Sequence, residues 1–216
     1  MITVIVGTGP GMGMALARRF GREGHELALL VRDPAAGAAF VEELAGLGVR
    51  ALAHVADAGD EDSLRAAFAA VRARQGEPDV VIVNTPVGGP GTPSDVAAAD
   101  LEAGFRVGVL GAVWSLQEVL PAMRERDQGV VLATGSGVAL HPWPGGTVVT
   151  VVKSALRAYV LAAARELEGT GVHVATVTVD GVLGGPGFEP DTVAERFWQL
   201  AVQPRGSFDA EVVHRG

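Results

Sequence analysis

The chain has 216 residues, of which 48% are hydrophobic and 19% are charged. This length suits one well-buried domain and is too short for a dinucleotide domain followed by a full substrate domain. The net charge of −8 is spread without a basic run, which argues against nucleic acid or anionic lipid as a partner. The absence of cysteine excludes disulfides, thiolate nucleophiles and cysteine metal sites.

The beginning of the chain carries no targeting signal of a familiar kind. The segment before Gly7 is apolar for only a few residues and has no basic leader, so we expect a cytoplasmic protein without a membrane span. The five histidines are not paired with carboxylates at ligand spacing, so no metal site is predicted. A small molecule is therefore the expected substrate.

Short β-branched runs alternate with helix-length segments along the chain. The predicted strands are residues 2–6, 26–31, 50–55, 80–84, 130–134 and 172–179. The predicted helices are residues 12–22, 35–47, 62–74, 101–126 and 149–168. Continuous apolar runs suit strands that are covered on both faces, and strict alternation indicates parallel strands. We predict a single α/β domain over residues 1–216, with a Rossmann-type doubly wound parallel sheet of about seven strands and helices on both faces.

Two segments interrupt the alternation, residues 86–93 and 181–190. Both are rich in glycine and proline, which predicts loops. In open parallel sheets the ligand binds at the carboxyl ends of the strands, where such loops emerge. We therefore expect these two loops to shape the substrate pocket.

A glycine-rich turn follows the first predicted strand, with the spacing Gly7-x-x-x-Gly11-x-Gly13. Glycines let the backbone turn sharply and approach a pyrophosphate, whose charge is met by free amides at the helix N-terminus. The flanking strand and helix favour a nucleotide site over an ordinary turn. The residues expected to contact the cofactor here are Gly7, Thr8, Gly9, Gly11, Met12 and Gly13.

The end of the second strand bears on the choice of cofactor. Asp33 lies where an acidic residue would bind a ribose 2′-hydroxyl, which favours NAD. Arg32 could instead pair with a 2′-phosphate, and we favour NADP(H) over NAD(H). Asp57, after the third strand, is placed to accept a hydrogen bond from the adenine amine or to cap the next helix.

Together these features resemble the short-chain dehydrogenase/reductase family, from residue 2 to about residue 213. The three glycines of the turn match the family pattern in full. The family's Asn-Asn-Ala-Gly motif is reduced to Asn84, followed by Thr85, Pro86 and Val87, and its Pro-Gly after the sixth strand appears as Asp180-Gly181. The resemblance implies that Asn84 and Gly181 border the cofactor.

The same resemblance places the family's catalytic groups. The catalytic serine aligns with Ser136 and the lysine with Lys153, which in the family also holds the nicotinamide ribose. The catalytic asparagine aligns with Gly108, and the proton-donating tyrosine, four residues before the lysine, is Val149. The chain therefore resembles an atypical branch of the family that lacks the catalytic tyrosine.

This pattern leaves two functions open. The first is an NAD(P)(H)-dependent oxidoreductase acting on a carbonyl, an alcohol or a C=C bond with an atypical proton donor. His141 is the candidate donor because imidazole titrates near neutral pH, although its place beside Pro142 and Trp143 favours an ordinary exposed loop residue. The alternative is a catalytically silent NADP-binding sensor or partner subunit. The family commonly pairs protomers through the two long helices, so we expect a homodimer or homotetramer.

Overall fold

The computed structural model describes all residues, Met1–Gly216. Seven strands form one sheet in the order β3-β2-β1-β4-β5-β6-β7, and every neighbouring pair is parallel. The strands are β1 (Ile2–Val6), β2 (Glu26–Val31), β3 (Ala51–Val55), β4 (Val80–Val83), β5 (Gly129–Ser136), β6 (Val172–Val179) and β7 (Glu211–His214). The strand order reverses between β1 and β4, and such a reversal is where open parallel sheets bind ligands.

Helices cover both faces of the sheet. They are α1 (Met12–Arg22), α2 (Pro34–Gly46), α3 (Glu61–Arg74), α4 (Ala98–Phe105), α5 (Gly111–Glu125), α6 (Thr147–Glu166) and α7 (Pro190–Ala201). One apolar layer joins the sheet to α1, α2 and α7 through side chains such as Phe20, Leu44 and Phe197. The other joins it to α3, α5 and α6 through side chains such as Phe68 and Leu156.

The predicted fold class is confirmed, most predicted boundaries lie within two residues of the observed ones, and the larger differences concern three parts of the chain. The expected single helix over residues 101–126 is divided into α4, a π-helical turn at Arg106–Leu110, and α5. The strand expected over 130–134 extends over the longer range of β5. Neither β7 nor α7 is among the predicted elements. α7 is nevertheless amphipathic, with Val193, Phe197 and Leu200 buried on one face.

Helix α6 has an apolar sequence because it packs in the core of the domain. The segment Pro144–Glu166, with a mean hydropathy of 1.4, could cross a membrane by length and composition alone. In the structure its inner face, including Val148, Val152 and Leu156, is buried against the sheet. The six successive residues from Thr147 to Val152 are all β-branched, which disfavours an isolated helix. Burial against the sheet therefore stabilises the first turns of α6 as a helix.

Candidate active site

The glycine turn lies at the carboxyl end of β1 and is shaped by close backbone packing. Gly7 has a φ of 82°, and a Cβ at this position would lie 2.9 Å from the carbonyl oxygen of Asn84. A Cβ on Gly13 would lie 2.8 Å from the Cα of Thr8. These two glycines are therefore required by the packing of the turn itself.

The middle of the turn faces open space. A Cβ on Gly9 or Gly11 would meet no atom within 4 Å. No side chain caps the N-terminus of α1, and no acidic residue stands in its first turn. The first helical amides, beginning at the buried Met12, are thus left for an anion. The Thr8 hydroxyl donates to the Ile5 carbonyl at 3.0 Å and its amide donates to the Leu30 carbonyl at 3.0 Å, so both donors of Thr8 are already used in shaping the turn.

A cleft of about 230 Å³ adjoins this turn. Its lining residues come from the ends of four strands, the segments after them and the π-helical turn: Val6, Gly7, Thr8, Gly9, Leu30, Val31, Arg32, Ala56, Asp57, Ala58, Thr85, Pro86 and Val107. The hydroxyl oxygen of Thr85 is buried here without a hydrogen-bond partner. A buried polar atom without a partner is costly, so this cleft is suited to a polar ligand such as a nucleotide.

Arg32 and Asp33 have different environments at the end of β2. Arg32 is exposed, lines the cleft and forms no salt bridge. The Asp33 carboxylate accepts a hydrogen bond from the Ala35 amide at 2.8 Å and caps α2. The guanidinium is therefore free for a ligand, whereas the carboxylate is already occupied in starting the helix.

Asp57 also lines the cleft, and its predicted alternative role as a helix cap is wrong. Its Oδ1 accepts a hydrogen bond from the Gly59 amide at 2.8 Å, within its own turn. The cap of α3 is Asp60, which accepts from the Ser63 amide at 2.8 Å. Asp57 precedes the helix by too many residues to reach its first free amides.

Asn84 connects three segments of the site. Its side-chain amide donates to the Gly7 carbonyl at 3.2 Å. Its Oδ1 accepts a hydrogen bond from the Thr134 hydroxyl of β5 at 2.9 Å. Asn84 therefore supports the glycine turn, and its predicted place beside the cofactor stays a prediction.

Lys153 lies on α6 and reaches the ends of β4 and β5. Its ammonium donates to the Thr134 carbonyl at 2.7 Å and points to the Thr85 carbonyl at 3.5 Å. The residue is only 7% exposed and forms no salt bridge. Burial lowers the pKa of Lys153 to about 8. It is also the only lysine among the 17 basic residues of the chain.

Ser136 is the last residue of β5 and pairs in register with Val179 of β6. Its side chain is half-buried and forms no hydrogen bond within the protein. Ser136 and Lys153 are both anchored to the carboxyl-terminal part of β5, the first as its last residue and the second through the Thr134 carbonyl. The serine hydroxyl is thus available to a ligand at the carboxyl end of β5.

Val149 lies one helical turn before Lys153 and is half-buried. A Cβ on Gly146 would lie 2.9 Å from its Cγ1. The same glycine supports the Trp143 ring, whose Cζ3 would lie 2.7 Å from that Cβ. Val149 and Trp143 therefore form an apolar wall at the position where the family resemblance places the tyrosine phenol.

The glycine at the position of the family's asparagine has a clear packing reason. A Cβ on Gly108 would overlap Val152 and lie 2.7 Å from the Cγ2 of Val87. Val87 lies where the family motif has glycine. The larger side chain at residue 87 therefore occupies the volume left by the smaller residue at 108. An asparagine side chain therefore has no room at residue 108.

The loop after β5 brings His141 beside Asp180, which is not among the predicted site residues. His141 Nε2 lies 4.0 Å from the Oδ2 of Asp180, and the His141 side chain is 76% exposed. Arg215 Nε approaches the same oxygen at 3.4 Å. Asp180 directly follows β6, so its place beside the end of β5 could be predicted once these two strands are known to be neighbours.

Gly181 is covered by the protein's own side chain. A Cβ at this position would overlap the Phe188 ring, which packs edge-on against His214 at a centroid distance of 5.2 Å. The loop over residues 181–190 therefore folds back on itself and on the chain after β7. A second cavity, of about 830 Å³, lies beside the C-terminal half of α6 and shares no residue with the cofactor cleft.

The family model for short chain dehydrogenases matches residues 1–185 of the chain. The chain therefore belongs to the short-chain dehydrogenase family, and the resemblance deduced from its motifs is confirmed.

Several relatives show how widely this similarity extends. The NADP-dependent 3-hydroxy acid dehydrogenase YdfG of Salmonella typhi is 28% identical, over 94% of this chain and 90% of its own length. The oxidoreductase UcpA of Escherichia coli K12 is 31% identical, over 79% of this chain and 65% of its own. A metagenomic short-chain oxidoreductase solved in complex with NADP superimposes with a TM-score of 0.91 at 29% identity, covering 99% of this chain and 96% of its own.

Proposed function

We propose that this protein is an NADP(H)-dependent oxidoreductase that interconverts a carbonyl and an alcohol, or reduces a C=C bond. The observation that carries the proposal is Lys153. The only lysine of the chain is buried at the family's catalytic position and held by the Thr134 carbonyl at 2.7 Å. Burying an ammonium without a carboxylate partner is costly, which argues for a functional role rather than a solvated helix charge.

The preference for NADP(H) is supported by the end of β2. Arg32 is unpaired at the cleft, and the neighbouring carboxylate of Asp33 is occupied as a helix cap. A guanidinium binds phosphate through a bidentate pair of hydrogen bonds. The relative YdfG is NADP-dependent by name and the metagenomic relative was solved with NADP, which supports the same cofactor here.

The chain's own groups have distinct roles in this proposal. When bound, the cofactor supplies or accepts the hydride. The amides of the glycine turn bind its pyrophosphate, Arg32 its 2′-phosphate and Lys153 its nicotinamide ribose. Ser136 positions the substrate oxygen, and the wall containing Val149 excludes water beside the reacting atoms. The predicted contacts of Asp57 with the adenine and of Gly181 with the cofactor remain part of the proposal.

A second candidate function is a catalytically silent NADP-binding sensor or partner subunit. Val149 and Gly108 favour it, because both family groups that move the proton are replaced by residues that cannot carry one. The buried Lys153 and the unpaired Ser136 hydroxyl favour catalysis, since binding alone would not need the serine.

The remaining expectations concern the setting of the protein. We propose a small-molecule substrate bound between the loops over residues 86–93 and 181–190, in a cytoplasmic homodimer or homotetramer. Phe105 on α4 and Val151 on α6 are exposed apolar side chains near the long helices, which supports pairing of protomers there.

Oxidation of NADPH by a panel of ketones, aldehydes and enones tests the proposed function. We expect turnover with at least one compound, and a decrease in kcat of about 100-fold on Ser136→Ala, because removing one donor to a developing oxyanion has effects of this size. Ser207→Ala, at an exposed site in the chain before β7, is the matched control and should leave turnover unchanged. NADPH binding without turnover on any compound would contradict the enzyme function and favour the silent one.

A further inference from the structure

Trp143 is an exposed aromatic residue whose backbone is fixed to the catalytic helix. It is 55% exposed, although tryptophan is on average highly buried. The Thr150 hydroxyl, in the first turn of α6, accepts a hydrogen bond from the Trp143 amide at 3.3 Å and donates one to the Trp143 carbonyl at 3.2 Å. An exposed indole with a fixed backbone offers a ligand a large apolar surface at low entropic cost.

Two glycines allow the indole to pack close to the start of α6. A Cβ on Gly145 would lie 2.7 Å from Cζ2 of the ring, and a Cβ on Gly146 would lie 2.6 Å from its Cε3. The same Gly146 Cβ would lie 2.9 Å from Val149 Cγ1, so the indole and Val149 are close neighbours. The apolar wall that they form therefore depends on this pair of glycines.

The wall is connected to the reacting groups through α6 and β5. Val149 lies one helical turn before Lys153, whose ammonium donates to the Thr134 carbonyl at 2.7 Å, two residues before Ser136. The chain leaves the sheet at Ser136 and enters α6 at the wall. The wall therefore borders the space in which a substrate would approach the serine hydroxyl.

Apolar side chains are also exposed on the loop after β6. Val182 is 80% exposed and Leu183 is 43% exposed. Ser136 pairs in register with Val179, so this loop begins beside the serine. Exposed apolar side chains thus follow both strands at this edge of the sheet.

The loops around the site carry no strong cation. Residues 86–93, 137–146 and 181–190 contain neither lysine nor arginine. A carboxylate is costly to remove from water unless a cation or several donors receive it. A substrate that bears a carboxylate would find no such cation in these loops.

The charge nearest to the serine is negative. Asp180 packs against Gly137, the residue after Ser136, so closely that a Cβ on this glycine would overlap the carboxylate. Arg215, from the chain after β7, already approaches that carboxylate, with its Nε 3.4 Å from Oδ2. An anionic substrate would meet the Asp180 charge and would have to compete with it for Arg215.

We propose that the substrate is a neutral carbonyl compound with an aromatic or branched apolar group, and that this group packs on Trp143 and Val149. This inference rests on the proposed function, since it names the substrate class of the same site. The Ser136 hydroxyl binds the carbonyl oxygen, and the wall binds the part of the substrate that does not react. Trp143 is therefore a specificity residue, and its ring adds aromatic contact to the burial of apolar area.

Two methyl ketones of matched length test the substrate class by turnover. Benzylacetone ends in a phenyl group where levulinate ends in a carboxylate. We expect kcat/KM with NADPH to be at least about tenfold higher for benzylacetone, because a few apolar contacts discriminate by this factor. Trp143→Ala should remove most of the difference, chiefly by raising KM. Val202→Ala, at an exposed apolar residue after α7, is the matched control and should preserve it. Equal or faster reduction of levulinate would overturn the substrate class and spare the proposed function.

Binding measures the same preference without turnover. With NADP⁺ in place of NADPH no hydride can reach the ketone, so calorimetry of the NADP⁺ complex measures affinity alone. Benzylacetone should bind to Trp143→Ala about tenfold more weakly than to the natural chain, and Trp143→Phe should recover most of this loss because it keeps an aromatic ring. No detectable binding, an affinity that Trp143→Ala leaves unchanged, or tighter binding of levulinate would overturn the inference. The expected binding without turnover of any compound would support the preference of the site and contradict the proposed function alone.

Discussion

Replacing Val149 with tyrosine should raise kcat for carbonyl reduction at pH 8 by about 100-fold. Residue 149 stands four positions before Lys153 on α6, and residues at this spacing share a helix face. The new phenol would therefore lie near the Lys153 ammonium and the Ser136 hydroxyl. General acid catalysis contributes about 10²–10⁴-fold, and at pH 8 most imidazole donors are deprotonated. Single-turnover oxidation of bound NADPH measures the effect on the chemical step.

Val149→Phe is the matched control for this gain. It adds the same ring without the hydroxyl, so it should leave the rate near that of the natural chain or lower it. We expect the gain to fall at the lower end of the general-acid range, because the glycine at residue 108 leaves no asparagine to complete the family's proton path. An equal rate in the tyrosine and phenylalanine variants would show that Ser136 and Lys153 no longer define a reactive site.

Lys153→Met should stabilise the protein while abolishing its activity. Burial lowers the pKa of Lys153 from 10.5 to about 8. Between these two values the unfolded chain binds more protons than the folded one, so this group makes stability increase as pH rises from about 8 to 10.5. At pH 7 the buried charge of Lys153 lowers the free energy of unfolding by about 3 kcal/mol, and its hydrogen bond to the Thr134 carbonyl raises it by about 1 kcal/mol. Both contributions are absent in the methionine variant. We therefore expect a gain of about 2 kcal/mol in the free energy of unfolding.

Urea unfolding at pH 7 and pH 9.5 measures this change. The natural chain should gain stability from Lys153 between the two pH values, and the methionine variant should lack that contribution. Lys153→Arg is the control, because arginine keeps its charge throughout this range and should show no gain at pH 7. A loss of stability in Lys153→Met at pH 7 would contradict a buried, destabilising ammonium retained for function.

The fold could be predicted from the sequence largely because its signals are local. Each interior strand is a continuous apolar run, and the glycine turn joins β1 to α1 within a few residues. β7 gave no such signal, because it pairs only with β6 and carries Glu211, whose carboxylate binds Arg157 and Thr178. Its identity as a strand depends on tertiary contacts. The division of the helix at Gly108 likewise depends on distant side chains, Val87 and Val152.

The site was predicted unevenly for similar reasons. The position of Asp33 predicts a ribose ligand, but an aspartate directly before Pro34 is also a typical helix start, and in the structure Asp33 caps α2. The Asp180 carboxylate was not foreseen because its place beside Gly137 requires knowledge that β5 and β6 are neighbours. Motif spacing predicts which residues share a site, but the environment of each side chain is set by the packing around it.

Calorimetric titration of the protein with NADPH and NADH in parallel tests the proposed cofactor most directly. We expect NADPH to bind at least about tenfold more tightly, since hydrogen bonds to a charged group contribute about 1.5–3 kcal/mol. Arg32→Ala should remove this preference and leave NADH binding unchanged. Equal affinity for both cofactors would contradict the role of Arg32, and binding of neither would contradict a nicotinamide-dependent function altogether.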